Sequence, residues 1–192
     1  CGHSFGGVLS SLVLARHPTL FARAVLLDPV LFTPAMIGVM ALSETLGLQL
    51  RGSLAKKARL RRSQWPDRAA AYAGLRGRGI VKGWTDEALW AYVEYALKES
   101  DGGVELKCRP SREAEIFSSF PRRLWPSLGK IITPTRVLYG DRTYPFVAKS
   151  VARWCSLNPQ VSAHVVVGGH CFMQEDPADA AERVRDFLLP NP

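Results

Sequence analysis

The sequence has no cysteine pair at C-x-x-C spacing; its four cysteines stand far apart, at Cys1, Cys108, Cys155 and Cys171. That spacing excludes the common zinc-site patterns, so no metal is expected. A chain of 192 residues can build a substantial core without disulfides. Free thiols in a reducing, cytoplasmic setting are the expectation. No apolar run is long enough to span a membrane. The most apolar stretch, Ala24–Leu27 with Val30–Phe32, is broken by Asp28-Pro29. Acidic residues are scarce in one place. Between Arg51 and Lys82, ten basic residues meet a single acid, Asp67, and this segment holds the whole excess behind the formal charge of +8. Aromatic residues are not interleaved with those basic ones as a base-stacking platform requires, so no nucleic-acid partner is expected. A solvated helical face, balanced by acidic residues in a part of the protein outside this chain, is the expectation instead. No internal repeat is found. The chain opens on Cys1 rather than Met, and a catalytic motif follows at once. An upstream part is therefore expected, and any targeting segment would lie there.

Three regions follow one another. In residues 1–33, a turn at Ser4 is succeeded by an apolar, small-residue helix over Phe5–Arg16, which His17-Pro18 ends. Ala24–Leu27 then reads as a strand buried on both faces. In residues 34–129 helical patterns recur, over Ala35–Leu50, Ser53–Arg62, Asp67–Leu75 and Thr85–Lys98, and Ser111 is expected to cap a short helix through Phe117. Loops are expected at Gly77, Gly79, Gly83 and Asp101-Gly102-Gly103, and no parallel strand is legible there. In residues 130–192 strand and helix alternate again: Thr135–Tyr139, Pro145–Leu157, Val161–Val167 and Ala178–Leu189. Such alternation implies an α/β fold with a parallel sheet covered on both faces. The helical middle reads as an insertion between two strands of that sheet.

Gly2-His3-Ser4-Phe5-Gly6 is a G-x-S-x-G motif. A serine on a sharp strand-to-helix turn is held in a strained conformation with its Oγ exposed, and the tightness of the turn calls for small residues two positions before and after. The helix that follows presents the Phe5 N–H to a developing oxyanion. A serine hydroxyl needs a base. Of the four histidines, His3 is beside Ser4 in sequence and should point elsewhere, His17 ends a helix, and His164 lies within a strand. His170 follows a strand and Gly168-Gly169, which sets it on a loop at the edge where open α/β sheets form their sites.

These motifs, with Leu26-Leu27-Asp28-Pro29, Leu138-Tyr139-Gly140-Asp141 and Glu175-Asp176-Pro177, resemble the α/β-hydrolase superfamily over all but the middle of the chain. The resemblance implies the order nucleophile, acid, histidine, with Ser4 as nucleophile and His170 as base. It implies that residues 1–33 and 130–192 are the C-terminal part of the hydrolase core, and that residues 34–129 are a cap that selects substrate. Many members place the acid three residues beyond the glycine that ends the strand. Thr143 stands there and cannot serve. Asp28, directly after the strand that follows the nucleophile helix, is the preferred acid, with Asp141 the alternative. Glu175 and Asp176 are expected to begin the last helix. A serine nucleophile argues against dehalogenase and epoxide-hydrolase chemistry, which use aspartate. The implied activity is hydrolysis of a small carbonyl substrate, an ester first, through an acyl-enzyme. The alternatives are a C–C bond hydrolase of ring-cleavage products and a non-catalytic binding protein of the same fold. No cofactor is implied, because the triad supplies every proton transfer. Trp65, Trp84, Trp90, Tyr92, Tyr95 and Phe117 are candidates for a pocket lining or for core. On the order of a hundred residues are expected upstream, including a second oxyanion donor, so these residues alone are expected to be inactive and to expose apolar sheet edges.

Overall fold

The computed structural model describes residues 1–47 and 53–189. In chain order the elements are β1 (Gly2–His3), α1 (Phe5–Arg16), β2 (Ala24–Leu27), α2 (Pro34–Thr45), α3 (Ser53–Arg59), β3 (Gln64–Trp65), α4 (Arg68–Leu75) and a 3-10 turn at Gly79–Val81. There follow α5 (Asp86–Ala96), β4 (Leu97–Ser100), β5 (Gly103–Leu106), α6 (Pro110–Phe117), α7 (Leu124–Leu128), β6 (Thr135–Gly140), α8 (Pro145–Leu157), β7 (Val161–Val166), α9 (Phe172–Glu175) and α10 (Pro177–Leu188). The end of the helix expected over Ala35–Leu50, and Arg51 of the basic segment, lie outside the described residues. The chain divides into two compact units, Cys1–Ala41 with Pro121–Pro192, and Leu42–Phe120.

The first unit is built on a four-stranded sheet in the order β1-β2-β6-β7. Every neighbouring pair is parallel. All four residues of β2 are buried, which is why this strand reads as an unbroken apolar run rather than an alternating one. Its side chains still alternate in direction. Val25 and Leu27 join Leu138, Val166, Phe172 and Ala180 in one core cluster, against which Val184, Phe187 and Leu188 of α10 pack. Ala24 and Leu26 instead share a depression with Leu14 of α1. The two helices thus cover opposite faces of the sheet. Register matters most at the strand ends: Leu27 pairs with Leu138, so Asp28 emerges beside Tyr139 and Gly140.

The second unit contains a three-stranded antiparallel sheet in the order β3-β5-β4, as well as the helices legible in the sequence. The helix expected to reach Lys98 stops at Ala96 and runs straight into β4. Ser100 pairs with Gly103 across a two-residue turn, Asp101-Gly102. Neither Asp101 nor Gly102 takes a positive φ, so the turn does not use the conformation that Asp-Gly pairs favour. Gly103 has φ 125°, and a Cβ there would lie 2.3 Å from the Trp65 carbonyl oxygen, so the position admits glycine alone. Ser111 does not cap α6; Arg109 holds the cap position, and Pro110 fills the first turn. The sheet and helices enclose Trp65, Ala71, Val93, Leu97, Val104 and Leu106.

Three arginines of the basic segment find counter-charges inside this same unit. Arg61 Nη1 donates to both carboxylate oxygens of Glu113, Arg68 pairs with Glu94 and Glu99, and Arg76 with Asp86. The expected balancing residues outside the chain are not needed for these three arginines. Among the described residues, no helix is long and apolar enough to cross a membrane. No group of three or more His, Cys, Asp or Glu side chains among them is placed to hold a metal ion.

Candidate active site

Ser4 sits between β1 and α1 with φ 54° and ψ −122°. Its N–H donates to the Leu27 carbonyl (3.0 Å), and its own carbonyl accepts from Gly7, Val8 and Val30. These bonds hold a conformation that costs a non-glycine residue about 1–3 kcal/mol. The steric demand of the turn falls on Gly2, where a Cβ would lie 2.4 Å from Ser10 Oγ and 2.7 Å from the Gly6 carbonyl oxygen. It does not fall on Gly6, as expected from the motif: a Cβ at Gly6 would meet nothing within 4 Å. Phe5 is the first residue of α1, and an N–H in a helix's first turn has no intrahelical acceptor.

His170 follows β7 on the Gly168-Gly169 loop. Its Nε2 is 2.9 Å from Ser4 Oγ, and its Nδ1 is 2.9 Å from Asp28 Oδ1. A carboxylate can only accept, so Nδ1 carries the hydrogen and Nε2 is left to accept the Ser4 hydroxyl. Asp28 is fully buried. Its φ is 44°, and among the described residues only Ser4 and Asp28 combine a side chain with positive φ. Three donors converge on the Asp28 carboxylate. Besides His170 they are the Gly140 N–H on Oδ2 (2.9 Å) and the Thr143 hydroxyl on Oδ1 (2.6 Å). Asp141, the alternative acid, faces elsewhere. Its Oδ1 accepts from the Gly168 N–H (2.9 Å), and it pairs with Arg142.

Further residues surround these three. His3 is more than packing: its Nε2–H donates to the His170 carbonyl (2.9 Å), with the two rings 4.8 Å apart. Burial holds His3 below the ordinary histidine range, so it is neutral at pH 7. Glu175 does not simply begin the last helix; it lies in α9, accepts from the Gly169 N–H (2.9 Å) and pairs with Arg142. Asp176 caps α10 through the Asp179 N–H. Gly140 abuts the His170 loop so closely that a Cβ would lie 2.4 Å from the Gly168 and Gly169 carbonyl oxygens. Tyr144, whose hydroxyl burial pushes above the ordinary tyrosine range, lies 5.1 Å from the His170 ring. It stacks on Phe146, which also touches Phe32. These aromatics beside His170 were not legible as such. Of the tryptophans and tyrosines that were, Trp65 is core of the second unit, Tyr92 packs against that core, and Trp90 stacks on Tyr72.

No curated protein is similar enough in sequence to count as a match. Among solved structures, E-2-(acetamidomethylene)succinate hydrolase is similar over 97% of this chain and 65% of its own, at 21% identity and a TM-score of 0.69. A peroxisomal alpha-beta-hydrolase of Saccharomyces cerevisiae is similar over 100% of this chain and 53% of its own, at 18% identity and a TM-score of 0.74. An esterase of Mycobacterium tuberculosis is similar over 97% of this chain and 61% of its own, at 20% identity and a TM-score of 0.63. The chain thus spans less than two thirds of the length of these proteins, and at such identities the likeness shows the fold. The model of the alpha/beta hydrolase family matches residues 1–183, nearly the whole chain. With that match, a parallel sheet flanked by helices and a G-x-S-x-G turn at the sheet's carboxyl edge, this chain belongs to the alpha/beta hydrolase family.

Proposed function

We propose that this protein is a serine hydrolase that cleaves a small carbonyl substrate, a carboxylic ester first of all, through an acyl-enzyme. The observation that carries the reading is the continuous hydrogen-bonded path from Ser4 Oγ through His170 to the buried Asp28, 2.9 Å at each step. His170 Nε2 takes the Ser4 proton as Oγ attacks the carbonyl carbon. The Phe5 N–H at the start of α1 donates to the oxyanion, where fixed dipoles act most strongly. Asp28 stays ionised and stabilises the imidazolium. His170 then returns the proton to the departing alkoxide, leaving Ser4 acylated. Water, deprotonated by His170, attacks the acyl carbon; the acid leaves and Ser4 regains its proton. The names of similar structures, an esterase and a thioesterase domain, support acyl transfer.

The test is a fluorophosphonate probe on the full-length protein, with the adduct located by mass spectrometry. Labelling is expected at Ser4 and absent in Ser4→Ala. Asp28→Asn is expected to slow labelling on the order of 10³–10⁴-fold, the usual cost of losing the residue that orients the base. Asp141→Asn is expected to change it by less than about tenfold, as for a residue that only braces a loop. An unlabelled Ser4 in folded protein would point to the non-catalytic member of the fold. A panel of esters, thioesters, amides and C–C ring-cleavage products then ranks the substrates.

A further inference from the structure

Asp28 poses a physical problem of its own. A carboxylate with no solvent exposure must find its donors within the protein, because an ion buried without them is heavily penalised. The imidazole supplies one. The other two come from a single turn, the one after β6: the Gly140 N–H on Oδ2 and the Thr143 hydroxyl on Oδ1. That turn is closed on itself by Thr143 N–H to the Gly140 carbonyl. It is also tied to the end of β7, by Asp141 N–H to the Val166 carbonyl and by Arg142 N–H to the Gly168 carbonyl. The turn is therefore a rigid receptor for a carboxylate that arrives from another strand. Within it the two anchors differ. Gly140 holds the oxygen turned away from the histidine. Thr143 reaches the same Oδ1 that faces His170 Nδ1, at 2.6 Å against 2.9 Å.

We infer that Thr143 is a positioning residue, whose hydroxyl holds Asp28 Oδ1 against the imidazole and limits how strongly that oxygen binds the His170 Nδ1 proton. The inference rests on the reading of Ser4, His170 and Asp28 proposed above. Two donors on one oxygen compete for its charge, so removing the hydroxyl concentrates that charge on the imidazole proton. It also removes the anchor that stops the carboxylate turning about its own bond. The first effect strengthens the grip on Nδ1–H. The second loosens the geometry that serves Ser4.

The test uses full-length protein with labelled histidine, assigned through His170→Gln, in wild type, Thr143→Val and Thr143→Ser. Valine keeps the shape without the donor, and serine keeps the donor. Thr143→Ala removes the same hydroxyl with less bulk and takes valine's place if that variant does not fold. Two quantities are read: the imidazole nitrogen resonances of His170, and the rate of fluorophosphonate labelling at Ser4 against pH. In Thr143→Val the Nδ1 resonance is expected to move in the direction of a more tightly held proton. Labelling is expected to slow about tenfold, the usual worth of one hydrogen bond to a charged group. The acid limb of the labelling profile is expected to move to higher pH. Thr143→Ser is expected to restore all three. A merely structural threonine would change stability but leave the resonance and the acid limb in place, and that result overturns the inference, as does a serine variant no better than valine. If Ser4 is not labelled even in wild type, the hydrolase reading fails separately. The resonance then decides for Thr143: a shift in valine reversed by serine upholds it, and no shift overturns it.

Discussion

Ser4 and Asp28 are held at φ 54° and 44°, and both lie on the proposed proton path. At both residues the surrounding hydrogen bonds hold a side chain where relaxed backbone would not. A stability trade follows. Ser4→Gly relieves the positive φ while Ser4→Ala does not, so the glycine variant is expected to be about 1 kcal/mol more stable than the alanine one. Thermal melting should show this as a midpoint about 2–4 °C higher, with labelling absent from both. His3 carries a pH signature. Its folded state resists protonation because of burial, so below the unfolded histidine range, about 6.5, the unfolded chain binds a proton that the folded one refuses. Stability associated with His3 is therefore full above that pH and is lost as pH falls. His3→Gln can still donate to the His170 carbonyl and does not titrate. It is expected to lose less of its melting temperature than wild type between pH 7 and pH 5, and an equal loss would refute the assignment.

The turns at the carboxyl ends of β2, β6 and β7 work as one assembly. Asp28, Gly140–Thr143 and Gly168–His170 are each anchored to another of the three, through Asp28 to Gly140, Asp141 to Gly168 and His170 to Asp28. The approach of Gly140 to two carbonyl oxygens leaves no room for a methyl group. Gly140→Ala is expected to destabilise by about 1–3 kcal/mol, the cost of overpacking, and to slow Ser4 labelling by displacing the His170 loop. A variant that is destabilised but labels at the wild-type rate would show that the loop does not transmit the shift. Position 143 also tests the geometry of acid placement. A second carboxylate there beside Asp28 would be repelled, but in Asp28→Asn the charge is vacant. Thr143→Asp added to Asp28→Asn is expected to recover at least tenfold of the lost labelling rate, whereas Thr143→Asp alone should lower it.

The two units keep separate cores, one on the parallel sheet and one around Trp65 and Val93. All the residues of the proposed proton path belong to the first unit. We propose that the inserted unit, Leu42–Phe120, governs substrate choice and not the chemistry. Replacing it with the corresponding segment of another family member is expected to change the ratio of kcat/KM between short and long acyl esters while leaving fluorophosphonate labelling at Ser4. A chimera that folds with an unchanged ratio would reject that role. The basic stretch belongs to this unit, and its paired arginines argue for internal bracing. The most exposed of these pairs, Arg76 with Asp86, contributes little.

By itself the sequence determined what short-range physics dictates. A glycine-flanked serine ahead of a small-residue helix specifies the strained turn. The apolar run at Ala24–Leu27 specifies a strand covered on both faces, and a Gly-Gly pair before His170 puts that histidine on a strand-end loop. Each is written within a few consecutive residues. Only the tertiary structure set Asp28, and not Asp141, against the His170 ring, because both follow a strand and differ only in what the sheet register sets beside them. It alone brought Thr143 to Asp28, His3 to the His170 carbonyl and Glu175 to the Gly169 N–H. Thr143 and Asp28 are 115 residues apart, and no local pattern encodes a contact at that separation. The hairpin at Asp101-Gly102 is the opposite case. Its turn signal was present, but Leu97–Ser100 lacks the β-branched residues that mark a strand, and only pairing with β5 makes it one. Contacts of this kind are set by which strands lie side by side and in what register, a property of the folded sheet and not of any segment within it.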